Sequence, residues 1–202
     1  MLVLVRHGRT ALNAQRRLAG RTDVGLDEVG QRQGRLAGTM LGDVVELRAS
    51  PLRRAVETAR LLGTGREPSI DDAFVELDYG ELEGVAVADV DASWWRTLRE
   101  DPATSMPGGE SLLDVQHRVA EALDELFADA GGAARSDDAE VVVVSHVSPI
   151  KAAVAWALGS GPELAQRLRL DNGSITRIGW GLAGPVVTAF NVVPNQGVSS
   201  PR

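Results

Sequence analysis

Apolar residues along the chain fall into two patterns, short continuous runs and longer stretches with a helical period. Continuous runs of branched apolar residues, typical of strands buried on both faces, cover residues 2–6, 44–50 and 140–145. A helical period covers residues 27–41, 50–63, 110–130 and a segment that begins near Ser148. Because strands alternate with helices, the pattern predicts an α/β fold, a three-layer α/β/α sandwich with a mostly parallel central sheet.

Turn and capping signals refine the bounds of these elements. Ser50 and Pro51 fit the N-cap and the first position of the helix at 50–63, and Gly63 fits its end. Near the C-terminus, two β-rich stretches flank the turn sequence GLAGP and predict an antiparallel hairpin.

The chain is predicted to form one domain over residues 1–194, followed by a flexible C-terminal tail at 195–202. Residues 85–110 differ in character from their surroundings and are predicted to be an insertion in this domain. They contain the adjacent Trp94 and Trp95 and run into the turn-rich MPGGES. We expect the two tryptophans to pack inside the insertion rather than stack on a ligand.

Composition excludes several classes of function. The 202 residues contain no cysteine, which rules out disulfides, thiolate metal sites and a cysteine nucleophile. No secretory leader precedes the first strand, and no apolar run reaches the roughly 20 residues of a membrane helix. We therefore expect a cytoplasmic protein that does not bind membranes. The formal net charge of −7 argues against binding to nucleic acid.

The basic residues are nearly all arginine. Lys151 is the single lysine among 21 basic residues, which leaves 20 arginines. A planar guanidinium binds phosphate oxygens in a bidentate manner, so a local site for a small anionic substrate is compatible with the negative net charge.

Two of the three histidines end apolar runs. His7 follows the run at 2–6, and His146 follows the run at 140–145. Ligands of open parallel sheets sit beyond the carboxyl ends of the strands, so neighbouring strands would bring both imidazoles to one crevice. The third histidine, His117, lies within a predicted helix and is expected to be structural.

The residues at these positions suit phosphoryl transfer through a covalent intermediate. A neutral His7 can act as the nucleophile, and Arg6 and Arg54 can clamp the phosphoryl oxygens. His146 can hydrogen-bond the same oxygens. Glu76 can protonate the leaving alkoxide and later activate water. This chemistry requires no metal and no cofactor, and the sequence contains no convincing cluster of metal ligands.

Five ordered segments resemble those of the histidine phosphatase superfamily, the group that includes the phosphoglycerate mutases. VRHGRTALN matches R-H-G-x-T-x-x-N, and ASPLRRAVETA matches S-x-L-x-R-A-x-x-T-A with Arg54 as the family arginine. LAGRTDVGLDEVGQRQ, ELDYGELEG and VVVVSHVSPI resemble the following segment, the acidic loop and the second histidine motif. The resemblance implies a phosphoglycerate mutase-like fold, His7 as the nucleophile and Glu76 as the acid.

The same resemblance implies further contacts around the phosphate. These secondary substrate or phosphate contacts are Gly8, Thr10, Asn13, Arg21, Thr22 and Val147. Val147 departs from the family pattern, because many members carry glycine after the second histidine and glycine lets the backbone approach a ligand closely. Valine still offers its N–H but narrows the space, so the identity of the substrate is not implied.

Several activities are compatible with the resemblance. A metal-independent phosphatase acting on a small phosphorylated metabolite is favoured, because only about 25 residues separate Gly84 from Glu110 and the family's mutases usually carry a longer insertion. A cofactor-dependent phosphoglycerate mutase and an α-ribazole phosphatase are the alternatives. A non-catalytic module that binds phosphorylated ligands would be expected to lack His7, Arg54 or Glu76. A homodimer is one assembly that the sequence leaves open.

Overall fold

The computed structural model of the chain describes residues 1–128 and 132–194. The strands are β1 (Leu2–Arg6), β2 (Val44–Ala49), β3 (Ser69–Ile70), β4 (Glu140–Ser145), β5 (Ile175–Gly181) and β6 (Gly184–Val192). The α-helices are α1 (Ala11–Ala14), α2 (Glu28–Gly38), α3 (Arg53–Leu61), α4 (Ala92–Glu100), α5 (Leu112–Leu126) and α6 (Val147–Ala157). The tail predicted at 195–202 lies outside the described residues. Over the described ranges, the helices are all too short or too polar to span a bilayer.

The six strands form one sheet in the order β3-β2-β4-β1-β5-β6. Strands β3, β2, β4 and β1 run parallel to one another, and β5 and β6 join them as the predicted antiparallel hairpin. The predicted α/β fold with a mostly parallel sheet is therefore confirmed. Because β1 and β4 are neighbours with Arg6 opposite Ser145, the residues that follow the two strands leave the sheet side by side.

The central strands are apolar throughout because both of their faces are covered. Successive side chains of a strand point to opposite faces, so Leu2 and Leu4 of β1 belong to one core cluster and Val3 and Val5 belong to another. The first cluster includes residues of α4, α5 and α6, and the second includes residues of α2 and α3. Helices on both faces give the predicted three layers, and this explains the continuous apolar run.

The helix after β2 begins later than the sequence predicts. It starts at Arg53, with Leu52 in the N-cap position and no capping side chain. The prediction that Ser50 caps this helix and that Pro51 is its first residue is therefore wrong. The Ser50 hydroxyl is bonded to His146 instead, a partner almost a hundred residues away that local capping rules do not reveal.

The region predicted as an insertion contains α4 and the turns around it. Trp94 and Trp95 lie on α4 and pack, partly buried, against the first core cluster. This cluster includes residues of β1, α5 and α6, so the two tryptophans pack against the core of the domain and not only inside the predicted insertion. One face of α4 also borders a second pocket, and Trp95 contributes to its wall.

Candidate active site

A cavity of about 420 Å³ opens beyond the carboxyl ends of β1 and β4, and we call it the reaction cavity. Its lining consists of Arg6, His7, Asn13, Arg16, Arg17, Leu18, Ala19, Gly20, Arg54, Glu76, Tyr79, Val87, Val147 and Asn172. The ring of His146 lies just behind it, with its centroid 5.0 Å from that of His7 and the two planes tilted by 56°. The two imidazoles therefore lie side by side beyond the two strand ends, as the topology requires, with His7 lining the cavity and His146 buried behind it.

The imidazole of His7 is held in one tautomer. Its Nδ1 lies 2.7 Å from the carbonyl oxygen of Gly8. Because a carbonyl oxygen only accepts hydrogen bonds, Nδ1 carries the proton and Nε2 carries the lone pair. Burial lowers the pKa of His7 well below its usual value, and the charges of Arg54 and Arg6 lower it further. The ring is consequently neutral at physiological pH.

The two arginines of the reaction cavity are held by backbone carbonyls rather than by acids. Nη1 of Arg6 donates to the Leu170 oxygen at 2.6 Å, and the guanidinium of Arg54 donates to the oxygens of Thr22 at 2.8 Å and Gly20 at 2.5 Å. Burial lowers the pKa of Arg6 to about 10, so it still carries its charge at neutral pH. Burial also lowers the pKa of Arg54.

The positive charges of these arginines are not neutralised by direct ion pairs in the part of the chain that the structure describes. Within residues 1–128 and 132–194, neither guanidinium forms an ion pair with a carboxylate, and the buried Nε of each has no hydrogen-bond partner. Buried donors and buried charges are costly unless they are paired. Arg6 and Arg54 therefore form a site that favours an anion.

His146 is completely buried and is positioned by Ser50. Its Nε2 lies 2.7 Å from the Ser50 hydroxyl, and its Nδ1 has no partner among the described residues. Burial lowers the pKa of His146 well below its usual value, and the nearby charge of Arg54 adds to this effect. The sequence around Ser50 resembles a helix cap, so sequence reasoning did not assign Ser50 to His146.

Glu76 is anchored by the beginning of α6. Its Oε1 accepts hydrogen bonds from the N–H groups of Leu77 at 2.8 Å and Ser148 at 3.1 Å, and its Oε2 accepts one from Val147 at 3.1 Å. The side chain is only 6% exposed and still borders the reaction cavity. The N–H of Val147, predicted as a phosphate donor, is thus bonded to a carboxylate in this structure.

The residues predicted just after β1 have different environments. Asn13 lines the reaction cavity. Gly8 lies behind it, where its N–H donates to Thr58 at 3.0 Å and where a Cβ would overlap the carbonyl oxygen of Gly30. Thr10 is buried and caps α1 through a reciprocal pair of hydrogen bonds with Asn13. Gly8 and Thr10 thus fix the backbone around the site in this structure.

Arg21 and Thr22 lie outside the lining of the reaction cavity. The guanidinium of Arg21 lies 3.2 Å from the carboxylate of Glu110, and the hydroxyl of Thr22 donates to Glu83 at 2.6 Å. These acidic partners come from the acidic loop and from the end of the predicted insertion. Thr22 still supports the site indirectly, through the carbonyl that holds Arg54.

Eight lining residues were not singled out from the sequence, and three of them have distinctive environments. The side-chain amide of Asn172 donates to the His7 oxygen and to Asn13 Oδ1, both at 3.2 Å. Tyr79 is the only tyrosine, and burial together with the charge of Glu76 raises the pKa of its hydroxyl. Arg16 has a left-handed backbone, with φ of 54°. Asn172 precedes a glycine, a pair that is typical of a turn. The sequence therefore gave no indication that Asn172 belongs to the site.

Metal ligands are not grouped in the described part of the chain. Over residues 1–128 and 132–194, no three His, Cys, Asp or Glu side chains come together in a way that could hold a metal ion. The charged residues that line the reaction cavity are one glutamate, Glu76, and four arginines, Arg6, Arg16, Arg17 and Arg54.

Comparison with known proteins gives concordant matches. The model of the histidine phosphatase superfamily, branch 1, matches residues 2–193. A bifunctional protein of Mycobacterium tuberculosis is 39% identical over 183 residues, which cover 87% of this chain and 49% of that protein. The chain thus spans about half the length of this relative. A probable phosphoglycerate mutase of Erwinia tasmaniensis is 31% identical over 183 residues, which cover 87% of this chain and 82% of that protein.

A solved structure also matches the fold. The mycobacterial glucosyl-3-phosphoglycerate phosphatase in complex with VO3 superposes with a TM-score of 0.83 at 32% identity, covering 95% of this chain and 98% of that chain. The family model and this superposition both extend over nearly the whole chain. The chain therefore belongs to branch 1 of the histidine phosphatase superfamily.

Proposed function

We propose that this chain hydrolyses phosphomonoesters of a small metabolite through a phosphorylated His7, without a metal ion. The observation that carries the proposal is the state of His7. A neutral imidazole with its lone pair on Nε2 borders a cavity in which two arginines lack anionic partners. A nucleophile beside an unfilled oxyanion site is what phosphoryl transfer needs.

In the first step, Nε2 of His7 attacks phosphorus and the bond between phosphorus and the leaving oxygen breaks. The leaving oxygen takes its proton from Glu76, which enters this step as the carboxylic acid. Arg6 and Arg54 stabilise the charge that spreads over the phosphoryl oxygens. The unpartnered Nδ1 of His146 is a third group that can bond these oxygens, particularly when the ring is protonated.

In the second step, the carboxylate of Glu76 removes a proton from water and the water oxygen attacks phosphorus. The bond between phosphorus and Nε2 breaks, its electron pair returns to His7, and inorganic phosphate leaves. Glu76 ends the cycle as the acid with which it began. The backbone N–H groups at the start of α6 hold it in place through both steps.

The remaining predicted contacts stay predictions. We propose that Asn13 reaches the bound substrate, because it lines the reaction cavity beside His7. Direct contacts by Gly8, Thr10, Arg21, Thr22 or Val147 would require bonds present in this structure to be shared or exchanged. We also propose that residues 1–194 form one catalytic domain and that the chain acts in the cytoplasm.

The names of similar proteins support hydrolysis and leave a mutase as the alternative. The superposed mycobacterial protein is named as a phosphatase, and the Erwinia relative is named as a probable mutase. The short segment between Gly84 and Glu110 favours the phosphatase. A non-catalytic binding module is disfavoured because His7, Arg54 and Glu76 are all present at one cavity.

The nucleophile is tested with para-nitrophenyl phosphate in excess chelator. We expect the His7→Asn variant to lose at least about 10³-fold in kcat, while His117→Asn, the matched change at an exposed histidine of α5, retains the rate of the unmodified chain. Equal activity of the unmodified chain and the His7→Asn variant would contradict the assignment. A phosphoenzyme stable to acid would also contradict it, because phosphohistidine is acid-labile.

The reaction type is tested by following products. With 2-phosphoglycerate or 3-phosphoglycerate as substrate, a phosphatase releases inorganic phosphate, whereas a mutase interconverts the two isomers. The same phosphate assay over a panel that includes α-ribazole phosphate ranks substrates by kcat/KM. Isomerisation faster than phosphate release would replace our proposal by the mutase alternative.

A further inference from the structure

A second pocket of about 190 Å³ adjoins the reaction cavity, and we call it the leaving-group pocket. It is lined by Leu77, Tyr79, Trp95, Leu98, Leu112, Val147, Ser148, Lys151, Ala165 and Gln166. Tyr79 and Val147 line both spaces, so the two adjoin at these residues. A leaving group bonded to a phosphate beside His7 would reach the second pocket past Tyr79 and Val147.

The walls of the leaving-group pocket are mainly apolar. Leucine side chains from the acidic loop, α4 and α5 form much of the surface, and Trp95 adds an aromatic ring that is only partly buried in the core. Apolar and aromatic walls with a few polar groups are typical of sites that bind the body of a small ligand.

Lys151 is the only cationic group in this lining. It lies on α6 one turn after Val147, on the same helix face, and it is the only lysine of the chain. Among the residues that the structure describes, no carboxylate forms an ion pair with it. Burial lowers the pKa of its ammonium, and the negative charge of Glu76 opposes this effect.

An unpaired ammonium beside apolar walls is costly, and an anion brought by a ligand would offset that cost. This anion is not the phosphoryl group itself. Arg6 and Arg54 already border the position beside His7, and four residues of α6 place the backbone of Lys151 about 6 Å beyond that of Val147. One ammonium and the Gln166 amide in a small pocket suit a carboxylate better than a second phosphate dianion.

Building on the proposed function, we propose that the leaving-group pocket selects phosphomonoesters whose leaving group is an apolar or aromatic body bearing a carboxylate that binds Lys151. The apolar body packs against Trp95 and the leucines. Lys151 touches the substrate but not the reacting atoms, so it determines specificity rather than the rate of the chemical step.

Three aryl phosphates that differ at the para position test this assignment: 4-carboxyphenyl, 4-carbamoylphenyl and 4-methylphenyl phosphate. The carboxamide matches the carboxylate in size but carries no charge. For the unmodified chain we expect kcat/KM to be about tenfold higher for the carboxylate than for the carboxamide, mainly through KM. In Lys151→Met this preference should disappear, while 4-methylphenyl phosphate is still hydrolysed at nearly the original rate.

Two further variants control for charge and folding. Lys151→Arg keeps the cation and is expected to retain part of the preference. Arg99→Met removes one exposed cation of α4 that lines neither space and should leave the preference unchanged. An unchanged preference in Lys151→Met, or no preference in the unmodified chain, would overturn the proposal.

A binding experiment separates this inference from the proposed function. Calorimetry with 4-(phosphonomethyl)benzoate and with its methyl analogue, 4-methylbenzylphosphonate, requires no turnover. If the chain hydrolyses none of the esters but binds the benzoate about tenfold more tightly than the methyl analogue only when Lys151 is present, the pocket assignment stands and the proposed catalysis fails. Equal affinities for both phosphonates would overturn the pocket assignment whatever the activity.

Discussion

The reaction cavity and the leaving-group pocket share two residues but are built on different parts of the molecule. The reaction cavity stands at the ends of β1 and β4, whose backbones are held together along their whole length. The leaving-group pocket is formed by α4, α5, α6, the acidic loop with Leu77 and Tyr79, and the short 3-10 helix that contains Gln166. Groups that must be placed precisely for chemistry gain from rigid elements, whereas groups that select a substrate can sit on more variable ones.

The two spaces also differ in how charge is compensated. Arg6 and Arg54 are anchored by backbone carbonyls, which orient the guanidinium groups without neutralising them. Lys151 has no such anchor within residues 1–128 and 132–194. The difference indicates that the reaction cavity is organised before a ligand arrives, and that the pocket depends on the ligand to complete it.

Glu76→Gln is expected to give the largest loss of activity, and it tests whether the reaction cavity alone carries the chemistry. If the reaction cavity alone carries the chemistry, the variant should lose about 10²- to 10⁴-fold in kcat on alkyl phosphates, whose leaving groups need a proton. The loss should be much smaller on para-nitrophenyl phosphate, whose leaving group does not. Steady-state rates across a series of leaving groups measure this dependence.

The matched control for Glu76 is Glu81→Gln, a change at an exposed residue of the same acidic loop. It should leave all rates close to those of the unmodified chain. An equal loss for good and poor leaving groups in Glu76→Gln would contradict its role as the acid.

A second, intermediate effect concerns the pH dependence of stability. The pKa values of His7 and His146 are lowered in the folded chain, so the unfolded chain binds protons first as the pH falls below about 6.5. The free energy of unfolding should therefore fall on acidification, by up to about 1.4 kcal/mol per pH unit for each histidine until its folded pKa is reached. Urea unfolding between pH 8 and pH 5 measures this slope.

The double variant His7→Asn/His146→Asn should show a shallower slope over the same pH range. His117→Asn controls for the loss of a histidine at an exposed position. If the double variant kept the full slope, the buried histidines would not be its origin, and the preorganised character of the reaction cavity would be in doubt.

Ser50→Ala gives the smallest expected effect and tests how the second histidine is positioned. Loss of the hydrogen bond to Nε2 of His146 should lower kcat about fivefold with little change in KM. Ser93→Ala, at an exposed serine of α4, is the control. A rise in KM without a change in kcat would indicate that Ser50 contributes to binding and does not position His146 for the reaction.

Much of the fold can be predicted from local sequence patterns, whereas several individual contacts of the site cannot. The branched apolar runs predict β1 and β4, and the rule for parallel sheets then brings His7 and His146 together. Ser50 was not predicted to lie in the site because its sequence context satisfies the rules for a helix cap. Only the folded structure shows that its partner is His146. Arg21 and Thr22 turn toward Glu110 and Glu83, since ion pairs and hydrogen bonds across the loops override the expected contacts.

The leaving-group pocket could not be predicted from the sequence at all. Trp95 lies on α4 and Lys151 on α6, and no local sequence signal indicates that these helices lie close together. Both residues line the same pocket only because of how α4 and α6 pack. The same dependence explains why the chemistry of the reaction cavity is easier to infer from the sequence than the identity of the substrate.

The contact between Gly8 and Gly30 has a consequence for how the chain tolerates mutation. A Cβ on Gly8 would overlap the carbonyl oxygen of Gly30, and a Cβ on Gly30 would overlap the carbonyl oxygen of Arg9. The segment after β1 therefore packs directly against the backbone of α2, which only glycine allows at these two positions. Gly30 does not line the reaction cavity, yet even alanine there would overlap the backbone of Arg9, two residues after His7. In a deep mutational scan scored on activity, Gly30 should tolerate as little variation as His7, and its neighbours on α2 far more.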